Sequence, residues 1–524
     1  MVDQRIAHAK HANSAPRSAW DFATAGTYRD YVAPRGFMVC VLVIALLAIC
    51  IPLVGMIWAP TNATTENREL AAAPALFEED RSFNYDVLAD AGSYFEDHFA
   101  YRNQLVEVNA RLHAALGTSP TDQVVIGTDD WLYYGGTLPD YLGQSSLSER
   151  GLRNAAHNLG LVQRYVQAHD AVFAFTLAPN KNTLYPQHMP YYYLQTSEPS
   201  NAERLKSYLA EEDVNYIDLF EVFDQAQSAG TWYLKRDSHW DNRGALLATQ
   251  ALLKGIGRSP MDLSVDDAQP RDDFVGDLQS MLHPYDARTE VNWYFSGYND
   301  DAGFSGARWS YVEGSDVTDS TVRTAVVESQ AQEAKGTLVM YRDSFGNALL
   351  PLWSTQFAKA TYSKLVPYDI AMAVSEEADV VIIERAERHA SYFAETAPLM
   401  PSPTLKKVPR ESGHAHDASA ESGSSSATVD VAKNGPYTVL SGEIAPELID
   451  DTSRITIAID YPSGKTSAFN AFWISGGEGD ARTDWGYQVN LTGKNGRVEG
   501  SLARVLVTTG ASTTCVGEFQ LDGR

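Results

Sequence analysis

Residues 37–58 read FMVCVLVIALLAICIPLVGMIW, 22 consecutive positions without a charged side chain. A helix rises about 1.5 Å per residue, so this run is long enough to cross a hydrocarbon core of about 30 Å. It predicts a transmembrane helix that divides the chain into a short tail and a large remainder. A cleavable signal peptide has a shorter apolar core, whereas this one follows a polar tail over residues 1–36. That tail holds Arg5, Lys10, Arg17, Arg29 and Arg35, and no Lys or Arg follows the run until Arg68. The bias places the N-terminus in the cytoplasm. The expectation is a single-pass protein of the cell membrane with everything after Trp58 extracytoplasmic. Pro52 removes one helical hydrogen bond inside the run and marks a kink site.

The remainder must fold as one or more large domains, because 524 residues with 44% hydrophobic side chains are far from the composition of a disordered chain. Lys and Arg number 41 against 67 Asp and Glu, a net charge of −26 that excludes general binding to a nucleic-acid backbone. Of three cysteines, Cys40 and Cys50 lie in the apolar run. Cys515 alone belongs to the outer part, which therefore has no intramolecular disulfide, and it is expected as a small buried hydrophobe. No P-loop, zinc spacing or dinucleotide glycine pattern occurs, so neither cofactor nor metal is expected.

Short apolar segments alternate with helical periodicity over residues 66–400, as in an α/β domain with a mostly parallel sheet. AVFAFTL (171–177), VNYIDLF (214–220), TLVMY (337–341) and DVVIIE (379–384) read as strands covered on both faces. Helices are predicted over 152–168, 202–211, 243–256, 347–357 and 368–377. Residues 286–327, rich in Trp, Tyr, Gly and Asp, read as a hairpin or loop excursion from that core. Residues 411–428 are mostly Ser, Gly and Ala and predict a flexible linker, in which His414, His416 and Asp417 are solvated rather than metal ligands. Alternating segments beyond residue 439 predict a small β-sandwich. The expected division is a cytoplasmic tail (1–36), a membrane helix (37–58), a catalytic α/β domain (59–405), a linker (406–432) and a β domain (433–524).

Two features carry chemistry. In TLVMYRDSFGNALLPLW an apolar strand runs through Asp343 and Ser344 into a helical pattern from Asn347, which lifts the serine above the sheet edge beside a helix start where an oxyanion would be stabilised. The same pattern describes an ordinary helix cap. In Asp237-Ser238-His239-Trp240 an imidazole, with an ordinary pKa of about 6.5, lies two residues from a carboxylate that can accept from its Nδ1 and leave Nε2 for a serine. A capping aspartate beside a surface histidine gives the same letters. The acid and histidine in DHFAYR (97–102) lie in an aromatic helix and read as packing and capping.

The two features gain weight together. ENRELAAAP (66–74), YFEDHFAYRNQLV (94–106), GTDDWLYY (127–134), APNKNTLYPQHMP (178–190), RDSHWDNRGA (236–245) and YRDSFGNALLP (341–351) occur in this order. In them the chain resembles the alginate O-acetyltransferase family of SGNH-hydrolase-like proteins. The resemblance implies an SGNH-hydrolase-like parallel sheet flanked by helices, with Ser344 as nucleophile, His239 as base and Asp237 as its orienting partner. Arg342 stands where ordinary SGNH enzymes carry the glycine of a GDS motif. The backbone N–H of Ser344 is one expected oxyanion donor, and Asn182 or Asn347 is a candidate for another. Lys181 and Arg388 follow strand ends on the ligand-bearing edge, either to bind an anionic sugar or support the site, or to pair with Glu384 or Glu387 as structural ions.

The expected activity is transfer of an acetyl group through acyl-Ser344 to hydroxyls of an extracytoplasmic polysaccharide. The resemblance further implies a polytopic membrane acyltransferase as acetyl donor. The same residues serve a carbohydrate esterase, in which water replaces the sugar, and the altered glycine leaves room for a catalytically silent glycan-binding or assembly protein. The acidic balance disfavours a strongly anionic polymer unless Lys181, Arg385 or Arg388 forms a local positive patch. The aromatics of residues 286–327, with Trp473, Trp485 and Tyr487, suit either sugar stacking or core packing.

Overall fold

The computed structural model describes residues 35–58, 70–77, 82–116, 118–283, 286–299, 308–314, 322–414, 426–476 and 483–521. The apolar run forms helix α1 (Arg35–Trp58), whose Phe37, Leu42 and Ile44 side chains stand exposed. It is long and apolar enough to cross a membrane, and an anchor or a signal sequence both fit that description. Helices α2 (Val87–His98) and α3 (Arg102–Leu116) follow, and the corner between them meets α1 where Ala100 N donates to Pro52 O at 3.4 Å. Asp97 is buried and accepts from Ala71 N at 2.7 Å, while His98 Nδ1 bonds Tyr94 O, so the DHFAYR motif is spent on packing.

Strands β1 (Val172–Ala178), β2 (Trp309–Glu313), β3 (Thr324–Ser329), β4 (Thr337–Tyr341), β5 (Lys359–Ser363) and β6 (Val380–Ala386) form one sheet in the order β1-β6-β4-β5-β3-β2. The first four in that order are parallel and the last two antiparallel. Alternate residues face opposite cores. Ala174, Met340 and Ile382 pack with helices α7 (Asn242–Gly255) and α9 (Gly346–Trp353), whereas Phe173, Val339 and Val381 pack with α4 (Glu149–Gln167) and α5 (Asn201–Glu211). Coverage on both faces is why these strands read as continuous apolar runs.

Three of the four expected strands form. The fourth, at residues 214–220, makes only an isolated bridge between Phe175 and Tyr216, because the Asp218 carboxylate accepts from Phe220 N and Glu221 N and starts helix α6 (Leu219–Ala226). Residues 286–327 are also not simply an excursion. Strand β2 and its neighbour β3 extend the main sheet, and Trp309 on β2 is buried in its core. Trp293, outside the sheet, lies under Arg243 with 3.9 Å from guanidinium carbon to ring centroid.

The C-terminal part packs two sheets face to face. One holds Asp430–Asn434, Tyr437–Glu443, Thr483–Leu491 and Phe472–Gly476; the other holds Gly413–His414, Ser512–Leu521, Ser501–Thr509, Arg454–Asp460 and Thr466–Asn470. Leu440, Tyr487 and Val489 of the first meet Ile457, Val505 and Phe469 of the second. Trp473 and Tyr487 are core residues here, and Cys515 is buried. The predicted linker differs on its described flanks. Leu405 N donates to Ala468 O, Ser412 N to Thr513 O, and residues 430–434 are a strand, all tied to the β domain. His416 and Asp417 lie outside the described residues.

The β domain is fastened to helix α4. The buried Asn158 donates from Nδ2 to Phe393 O (2.9 Å) and Trp473 O (2.8 Å), and its Oδ1 accepts from Trp473 N (2.9 Å). Arg150 lies 3.6 Å over the Trp473 ring. Truncation at Asn158 orphans both backbone groups of Trp473, so Asn158→Ala is expected to cost about 2–4 kcal/mol, read as a lower denaturant midpoint at unchanged activity per folded molecule.

Candidate active site

The parallel strands β1, β4 and β6 all end on one edge, and β4 and β6 are neighbours whose onward connections diverge, the place where open α/β sheets bind ligands. Ser344 stands three residues beyond the end of β4, in a turn pinned on both sides. Arg342 N continues the ladder to Ser363 O; Asp343 Oδ1 accepts from Phe345 N and Oδ2 from Ala386 N, and Asn347 N donates to Ser344 O. Asp343 is buried, which favours its neutral form, but the facing His389 and the Arg388 and Arg385 charges hold its carboxyl below the usual range.

The histidine arrives on a hairpin. Tyr233 bridges Trp240, Leu234 N donates to His239 O and Asp241 N to Trp232 O. Trp240 is buried against Phe223 and Phe345, and the His239 ring meets Phe345 edge-on at 4.7 Å between centroids. The Asp241 carboxylate caps helix α7 through Gly244 N. At the tip, His239 Nε2 lies 2.8 Å from Ser344 Oγ and His239 Nδ1 2.7 Å from Asp237 Oδ1, which also accepts from His239 N. Hydroxyl, imidazole and carboxylate thus form one hydrogen-bonded line. Burial lowers the basicity of His239, but the Asp237 charge and hydrogen bond, helped by Asp277, outweigh it and raise the net pKa. For Asp237 burial works upward and the His239 partner pulls harder downward.

Of the alternatives open to Lys181, its contacts are those of a support for the site. It is buried, and its ammonium donates to Leu234 O (3.0 Å), Lys235 O (3.0 Å) and Asp237 O (2.5 Å), above Trp131 and Tyr133. It braces the hairpin from beneath and pairs with neither Glu384 nor Glu387, because three carbonyls converge where it emerges from β1. The two asparagines also part company. Asn182 is buried and turns its amide to Thr137 O at 3.4 Å. Asn347, one turn beyond Ser344, has its Oδ1 held by Arg342 Nη1, which leaves its Nδ2 as the outward donor. Arg342 itself is buried, also donates to Asp343 O, and lays its stem across Gly346, where a Cβ would come within 2.8 Å of its Cδ. Arg388 is half-buried with its guanidinium 5.2 Å from the Tyr134 ring, and its charge opposes protonation of His239.

Three residues escaped the sequence reading. Glu290 accepts from Lys235 N and Arg236 N at the hairpin tip. Asp277, first residue of helix α8 (Asp277–Leu282), accepts from Ser238 N (2.8 Å) and Ser238 Oγ (2.5 Å) and donates its own N–H to Asp237 Oδ2 (2.8 Å). Ser238 is the link between them. The approach is close enough that a Cβ on Gly276 would fall 2.2 Å from Arg236 O. An aspartate at a helix start reads as a cap, and no sequence signal says which loop it faces. Donor atoms of Asp237, His239 and Asp277 lie within 4.8 Å of one another, and each is already hydrogen-bonded within the cluster.

Residues 124–294 match the family described as the SGNH hydrolase-like domain of the acetyltransferase AlgX, a stretch that contains Asp237, His239 and Asp277 and stops before Ser344. The chain is 24% identical over 176 residues to a probable alginate O-acetylase AlgJ of Pseudomonas syringae pv. tomato, covering 33% of this chain and 43% of that protein. It is 22% identical over 205 residues to a probable alginate O-acetylase AlgJ of Pseudomonas putida, covering 37% and 50%. The chain therefore spans about half, or less, of the curated relatives it matches. The solved structure of Bacillus cereus PatB1 aligns over 50% of this chain and 95% of that one, at 18% identity and a TM-score of 0.39. The family match takes in three of the six motifs, at 127–134, 178–190 and 236–245, and both curated relatives carry the name of an alginate O-acetylase.

Proposed function

We propose that this chain is an O-acetyltransferase that moves an acetyl group through an acyl-Ser344 intermediate to hydroxyls of a polysaccharide outside the cytoplasm, held at the membrane by α1. The observation that carries the reading is the unbroken line Ser344 Oγ–His239 Nε2 at 2.8 Å and His239 Nδ1–Asp237 Oδ1 at 2.7 Å, on the open edge of a parallel sheet. In the first half-reaction Ser344 Oγ attacks the carbonyl of an acetyl ester as His239 Nε2 takes the hydroxyl proton. The C–O bond of the donor breaks and its leaving oxygen takes that proton from the imidazolium, which Asp237 steadies meanwhile. In the second, a sugar hydroxyl gives its proton to the same nitrogen and attacks the acyl carbonyl. Ser344 leaves and takes the proton back. The acetyl donor is an acetylated membrane acyltransferase, and Arg388 offers the acceptor a cation beside the serine.

The tetrahedral oxyanion is held by the Ser344 backbone N–H and the Asn347 amide, which Arg342 aims. Asn347→Ala is expected to lower kcat by about 10²-fold with little change in KM, because the donor acts where charge develops and not on the ground-state ester. Steady-state kinetics with an activated acetyl ester check this. The class of reaction is tested by giving the purified chain such an ester with and without a hydroxyl-rich oligosaccharide. Acetylated sugar supports transfer. Free acetate alone identifies an esterase, and no turnover identifies a silent binding protein.

A further inference from the structure

We propose that Asp277 is a positioning residue of this site, which through the Ser238 hydroxyl brings a second carboxylate to the Nδ1 side of His239 and sets the pH at which the imidazole becomes a base. The inference rests on the triad reading above, and its test reads the histidine directly.

The geometry is reciprocal. Asp237 Oδ2 accepts the backbone N–H of Asp277 at 2.8 Å, and Asp277 Oδ1 accepts the backbone N–H of Ser238 at 2.8 Å, so each carboxylate clamps the segment that bears the other. The second oxygen of Asp277 lies 2.5 Å from Ser238 Oγ, and Ser238 Oγ lies 3.2 Å from His239 Nδ1. An ionised carboxylate can only accept, so the Ser238 proton points to Asp277 and an oxygen lone pair is left facing the ring. The Nδ1 proton then has two acceptors, Asp237 Oδ1 at 2.7 Å and Ser238 Oγ, and the tautomer that leaves Nε2 free for Ser344 is favoured twice over. Asp277 Oδ2 itself stands 3.8 Å from Nδ1.

A second negative charge at that range stabilises the imidazolium. The groups that face His239 are Asp237 on its own hairpin, Asp277 on α8, Arg388 beyond β6 and the uncharged Phe345 ring. Lys181 and Glu290 act one step further off, on Asp237. Arg388 opposes the two carboxylates; Asp237 is the stronger of them and Asp277 adds to it, so loss of the Asp277 charge shifts the balance toward the neutral ring. Asp277 in turn is pushed up to about 6 by burial and by the Asp237 charge, against the pull of His239 and Ser238. Its charge is therefore present in the neutral range and fades in the acid range where the histidine also titrates, which couples the two groups.

A purely structural clamp and an electrostatic one separate in Asp277→Asn. The amide keeps an oxygen for Ser238 N and a polar atom toward Ser238 Oγ, but carries no charge. The full-length protein in detergent is labelled at histidine, and the His239 signal is assigned by its loss in His239→Gln and followed by NMR against pH. Loss of the charge weakens the imidazolium, so the His239 midpoint in Asp277→Asn is expected to move to lower pH. The acid limb of Ser344 labelling by a sulfonyl fluoride, read by mass spectrometry, moves the same way. A folded Asp277→Asn protein with the wild-type midpoint overturns the proposal. Should that variant not fold, Ser238→Ala, which removes only the bridge, decides in its place: a lower midpoint supports the inference and an unchanged one overturns it. Wild-type Ser344 that resists the reagent at every pH would instead count against the acyl-serine reading, while the NMR midpoints still judge Asp277.

Discussion

Ser344→Ala is expected to abolish acetyl transfer, with a loss of about 10³-fold or more in kcat, because no other hydroxyl replaces the one lying on His239 Nε2. The substitution removes one oxygen from a half-buried turn that is held by Asp343, Ala386 and Asn347 backbone bonds, so the fold and KM for the acetyl ester should stay near wild type. His239→Ala and Asp237→Ala belong to the same machine. Their losses should be of similar order, and the double variant Ser344→Ala with His239→Ala little worse than either single one, since parts that act as a unit are not additive. Single-turnover labelling with a radioactive acetyl ester gives the direct readout: wild type retains label on the protein and Ser344→Ala does not. Full activity in Ser344→Ala would end the covalent mechanism.

Lys181→Met should be the most damaging change at a position that touches no substrate. The ammonium serves Leu234 O, Lys235 O and Asp237 O together, in a space closed by Trp131 and Tyr133. Methionine fills similar volume but leaves the buried Leu234 O and Asp237 O without a donor, while Lys235 O keeps only its bond from Leu132 N, at an expected cost of about 3–5 kcal/mol. The loss falls on the hairpin that presents His239. A displacement of about 1 Å there is enough for a rate loss of about 10²-fold even in the molecules that remain folded. Thermal unfolding and kcat should therefore fall together. If Lys181 instead gripped an anionic sugar, KM for the acceptor would rise while the melting temperature held, and that result would overturn the bracing role.

Burial on both faces left its mark on the letters of β1, β4 and β6, so those strands were legible, while VNYIDLF was just as apolar and lost its strand to one capping carboxylate at Asp218. Trp309 could be a sugar platform or a core residue on sequence alone. Its place on β2 at the sheet edge settled it as core. Lys181 and Arg388 looked alike, each basic and each beyond a strand end. The first meets three carbonyls and the second remains half-buried beside an aromatic ring. Arg342 read as a damaged glycine position, yet its stem occupies the space that Gly346 leaves open, so the pair must be considered together.

By itself the sequence determined the properties that depend on neighbours along the chain: an apolar run of membrane length, a strand that delivers a serine to a helix start, and a carboxylate two residues from an imidazole. These follow from helical rise, strand alternation and side-chain chemistry, all of which are local. Only the tertiary structure decided which side chains meet across distance. Asp277 reaches His239 through Ser238, Arg342 aims Asn347, and Lys181 holds the hairpin, because each contact depends on how packed elements place their ends, and a hydrogen bond fails over a few tenths of an ångström that no spacing in a sequence encodes.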